Sequence, residues 1–239
     1  MNGFYAIGDE SLLECIEDAK QGDPTAIWYS VVGLIERDRL AEAETFALQL
    51  DTLGFTDGCG VMAESAFSEG GAAPDEDRCL SFALRNANTD RPGWAISAQL
   101  AGKVFEKRGQ IEQAITLYTR SIRARDAENG EAWMRLACIY LRPGPHQNAF
   151  KAAECLIGFV AADGDDPCIP GAPIEYDGAW VSKEAFQRLF QIAPPERRAD
   201  LALLLLEGEL LVPKGTWKRE ATWENSHAVK PVLNFVFEA

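Results

Sequence analysis

Histidine is almost missing from this chain: His146 and His227 are the only two in 239 residues. A Ser-His-Asp or Cys-His arrangement needs an imidazole beside its nucleophile. Neither histidine has a motif around it, so both read as surface or capping residues. The cysteines, Cys15, Cys59, Cys79, Cys138, Cys155 and Cys168, show no C-x2-C pair and the histidines no H-x3-H pair, which argues against structural zinc. No apolar run reaches the roughly 18 residues of a membrane helix; Leu201 to Leu206, at six residues, suits a buried helix. The start Met1-Asn2-Gly3-Phe4-Tyr5 lacks the basic residues and long apolar core of a signal peptide. The expectation is therefore a cytoplasmic protein with reduced thiols; a Cys138–Cys155 bridge between adjacent helices is the alternative. No phosphate loop is present: Gly58-Cys59-Gly60 and Gly70-Gly71 lack the strand-then-helix setting and the lysine, and read as inter-helix turns. Asp163-Gly164-Asp165-Asp166 is no calcium loop, because the sixth and twelfth places hold Cys168 and Ile174 instead of glycine and glutamate. No cofactor is expected.

Basic residues are scarce in the front of the chain. Residues 1–90 hold 5 Lys+Arg against 18 Asp+Glu, a net −13, whereas 91–160 hold 10 against 6, or +4, and 161–239 hold 8 against 13, or −5; together they give the chain's −14. An acidic front repels a phosphate backbone, so nucleic acid is not the expected ligand. It would steer a basic partner inward. In the basic middle, Lys103, Lys107, Arg108, Arg120, Arg123 and Arg125 read either as partners for the acidic front or as a patch for an acidic segment.

What is abundant is helical periodicity, and it repeats. Ile27, Ala63, Ala98 and Trp133 mark equivalent places, separated by 36, 35 and 35 positions. A period of this size marks a helical solenoid, whose units cannot bury their apolar faces alone. The pattern predicts helices over 11–19, 25–37, 40–53, 61–68, 75–87, 94–107, 111–125, 130–141 and 147–162. Gln21-Gly22-Asp23-Pro24 and Pro143-Gly144-Pro145 act as breaks, and Asp57-Gly58-Cys59-Gly60 as loop. Residues 163–180 read as a long loop. Helices follow over 182–192, with Ser182 as N-cap, and from Pro194-Pro195 to Leu211. The tail, with Trp217, Trp223, Val232 and Phe235, suggests extended structure. The domain reading is thus repeats over 10–162, a loop over 163–180, and capping helices with a tail over 181–239.

These units resemble tetratricopeptide repeats, including the Sel-one-like variant. Trp133-x2-Leu136-Ala137-x2-Tyr140 matches the family's W-x2-L-G-x2-Y with alanine for glycine, and Ala149-x3-Ala153 falls where it has A-x3-F. Ala101-Gly102-x2-Phe105 with Ala114-x3-Tyr118 repeats the pattern, and Ala19-x2-Gly22-x3-Ala26 followed by Ser30-Val31-x2-Leu34 has the Sel-one-like spacing. The unit containing Ala66-Phe67 and Cys79-x3-Ala83 is the weakest match. The resemblance covers about residues 10–160. It implies an all-α, right-handed α-α superhelical solenoid of four to five helix pairs, with a concave groove lined by first helices. It implies no activity.

The expected function is a non-catalytic adaptor or scaffold that binds a peptide or helix of another protein in that groove. The family's Lys/Asn clamp for a peptide carboxylate is not visible. The expected contacts are Trp28, Val32, Glu64, Gln99, Lys103, Met134 and Arg142, a mixed surface suited to a segment with some apolar anchors. An acidic inhibitor or chaperone of a basic protein is the second reading. An enzyme sited in the carboxy-terminal third is the third, although nothing there pairs a nucleophile with a base. No membrane partner is expected. The tail is read as a cap on the last apolar face, with a homodimer through the tail as the alternative.

Overall fold

The computed structural model describes residues 7–55, 57–67, 75–91, 93–124, 130–161, 174–175, 180–181 and 183–208. The chain is all-α, with two compact units, residues 1–123 and 124–239.

In the first unit each helix packs on its predecessor: α1 (Asp9–Lys20), α2 (Pro24–Ile35), α3 (Leu40–Thr52), α4 (Asp57–Phe67), α5 (Glu76–Ala87), α6 (Trp94–Lys107) and α7 (Ile111–Ser121). The contacts α2–α4 and α4–α6 recur as well. Helices α2, α4 and α6 therefore form one layer, bracketed by their pair partners. This is solenoid-type packing. It follows from the sequence marks: Ile27, Ala63 and Ala98 sit at 0 % exposure in α2, α4 and α6. A continuous core of Val31, Leu34, Ala47, Met62, Phe82 and Val104 runs through these helices.

The breaks expected at Gln21-Gly22-Asp23-Pro24 and Pro143-Gly144-Pro145 fall at the junctions of α1 with α2 and of α8 (Gly130–Leu141) with α9 (Ala149–Ala161), but not every proline and glycine acts as one. Pro24 does not stop a helix. It opens α2 at a position where its missing N–H is not needed, and Asp23 caps the same turn by accepting from Thr25 N–H (2.8 Å) and Ala26 N–H (3.3 Å). Asp23→Ala is expected to destabilise the first unit by about 1 kcal/mol, read as faster amide exchange in the first turn of α2. Gly58 and Gly60 lie inside α4, which corrects the loop expected over 57–60. A Cβ on Gly58 would come within 3.1 Å of the Ala47 Cα, so this glycine serves a close α3–α4 approach. Helix α7 ends at Ser121, before the 125 expected.

In the second unit α8 (Gly130–Leu141) and α9 (Ala149–Ala161) form a pair, and α9 also meets α10 (Lys183–Ile192) and α11 (Arg198–Glu207), the latter preceded by a 3-10 turn over Pro195–Arg197. Gly158 of α9 lies against the Trp133 ring, 2.7 Å from where its Cβ would be. The Arg197 guanidinium stacks 3.9 Å over the Phe150 ring. Leu201 and Leu205 of α11 are buried, but Leu203 is 57 % exposed, so this helix is not covered all round. A two-residue antiparallel pair, β1 (Ile174–Glu175) with β2 (Trp180–Val181), aligns Ile174 with Val181. Two residues per strand leave no alternation to read in advance. Ile174, Glu175 and Trp180 of this pair fall within the loop expected over 163–180 and correct it at those residues; the expected Ser182 cap, the rest of that loop and the 212–239 tail, with the cap or dimer assigned to it, lie outside the described residues.

Candidate functional site

The face of the α2–α4–α6 layer is built from residues that the core does not use. Along α6, Ser97, Ala98, Ala101, Gly102 and Val104 are buried, and the remaining arc carries half-buried Gln99 and Lys103, one helical turn apart. On α4, Met62 and Ala63 are buried and Glu64 is exposed. The two arcs meet where the Lys103 ammonium sits 4.7 Å from the centre of the Phe67 ring, a cation–π contact. On α2, Trp28 is half-buried and packs edge-on against Tyr29 with ring centres 5.2 Å apart.

Of the contact residues expected from sequence, Trp28, Glu64, Gln99 and Lys103 thus belong to the first unit and reach its surface. Val32 does not: at 4 % exposure it belongs to the packing of α2. Met134 is 0 % exposed in α8, and a fully covered thioether cannot meet a partner. Periodicity placed both residues on the first helices without showing that those helices are wrapped on more than one side. Arg142, just after α8 in the second unit, is exposed. Sequence reasoning missed Leu13, Tyr29, Leu53 and Phe55, which are 62, 45, 47 and 48 % exposed. Tyr29 is hidden in the sequence by the apolar run around it.

Charge in the first unit is spent across junctions. Arg37 bonds Asp9 (2.7 Å) and the Ile7 carbonyl (2.6 Å). Arg78 reaches Glu44 (3.0 Å) and the Leu40 carbonyl (3.0 Å). Arg85 and Arg91 share Asp51, at 3.1 and 3.7 Å. Lys107 and Arg108 hold Glu76 at 2.6 and 3.1 Å, and Arg108 also bonds Asp77 at 2.7 Å. Arg120 reaches Asp90 (3.3 Å) and the Thr89 carbonyl (2.8 Å) while lying over the Trp94 ring. In each of these pairs the base comes later in the chain and the acid earlier. Hydrogen bonds from Lys107 and then Arg108 hold the Glu76 carboxyl below its ordinary range. Partly exposed pairs contribute only about 0–1 kcal/mol each, so they fix register more than they add stability. Lys107, Arg108 and Arg120 are therefore not an open patch for an acidic segment; Arg125 lies outside the described residues.

Among the described residues Cys15, Cys59, Cys79 and Cys155 are free thiols, so Cys155 is not bridged to Cys138. Burial pushes Cys59 and Cys79 up to about 11 and Cys155 up to about 12. These are poor nucleophiles, since the thiolate is the reactive form. Their folded values lie above the unfolded one. The stability tied to them is therefore whole below the unfolded value and is lost as pH climbs from about 9 through the folded values. Urea midpoints measured between pH 8 and 11 are expected to fall, and to fall less in Cys155→Ala. Among the described residues, no group of three His, Cys, Asp or Glu is placed to hold a metal, and no helix is long and apolar enough to cross a membrane.

No family model matches the chain, and no curated protein matches it.

Proposed function

We propose that the protein is a tetratricopeptide-like adaptor that uses the α2–α4–α6 layer of its first unit to hold a segment of another protein in the cytoplasm. One observation carries this reading. Three consecutive first helices align side by side, and beside their buried marker residues they turn Trp28, Glu64, Gln99 and Lys103 toward the surface. A row of rigid helices presents such groups with little ordering left to do on binding, which lowers the entropic cost. Half-buried aromatic and long polar side chains suit a helix or an extended peptide.

A photo-crosslinking residue at Gln99, compared with one at the exposed Gln113 of α7, tests the reading. Discrete adducts to one protein segment at position 99 and none at 113 are expected in native extract. Equal labelling at both positions would end the adaptor reading. The acidic-inhibitor alternative draws on the −13 of residues 1–90, but six of those acids, Asp9, Glu44, Asp51, Glu76, Asp77 and Asp90, are already engaged by bases of the same chain. Its test is a steep loss of adducts with salt.

A further inference from the structure

We draw no further inference here: the strongest candidate, the outer face of α1, where Leu13 stands 62 % exposed among Glu10, Glu14 and Glu17, carries nothing because nothing in the structure shows what covers it.

Discussion

Gly102→Ala is expected to destabilise the first unit by about 1–3 kcal/mol, the usual range for forcing an extra carbon into a packed interior. Helix propensity alone predicts the opposite sign, because alanine in a helix interior is favoured over glycine by about 1 kcal/mol. Packing decides. A Cβ on Gly102 would lie 2.6 Å from Cε1 and 2.8 Å from Cδ1 of Tyr118. That ring is 0 % exposed and cannot swing away easily, since its hydroxyl also donates to Glu106 Oε2 at 3.0 Å. Amide exchange of α6 and α7 would report the loss. In a Tyr118→Leu background the same substitution should cost less, with a coupling of at least about 0.5 kcal/mol between the two sites. A neutral or stabilising Gly102→Ala would mean that the ring is not pinned against α6.

Met134→Ala is expected to cost the second unit about 2–5 kcal/mol, the range for truncating a fully buried large side chain. Met134→Leu, nearly equal in volume, should cost less than about 1.5 kcal/mol. Amide exchange of α8 and α9 against that of α2 and α3 localises the effect. The pair separates two roles that the sequence leaves confounded. A binding contact would lose affinity in both variants at unchanged stability, whereas a packing residue loses stability in one variant only.

The fold was legible because its main signal is periodic. Apolar residues every three or four positions locate α6 at 94–107 and α8 at 130–141, the bounds observed. The 35-residue step also places Ala63 and Ala98 in buried register. What failed was local. Glycine inside α4 reads as a turn because backbone freedom is its usual use, and only a three-dimensional contact with Ala47 reveals the other one. The candidate surface was half legible. The spacing puts Glu64, Gln99 and Lys103 on an outward arc, but it cannot tell that α2 is wrapped by α1, α3 and α4 until Val32 is covered. Nor can it tell that Phe55, in a connecting turn, stands clear of the core. Charge was misread for a similar reason: a sum over 90 residues says nothing about which acids meet which arginines.

The ion pairs of the first unit give its joints a direction. Arg78 with Glu44 and Arg85 with Asp51 each span 34 positions, close to one repeat, and in both the later element supplies the cation. Such joints behave like plugs and sockets. A repeat turned end for end by a recombination event would set carboxylate against carboxylate. Repeat arrays are otherwise prone to slipping by one unit during folding and to exchanging units between chains. Here a slipped array still buries its alanines and leucines, but Arg78 and Arg85 no longer face Glu44 and Asp51. The order of the helices is thus written in charge as well as in peptide bonds, and a shuffled gene would pay for its new order in misfolded chain.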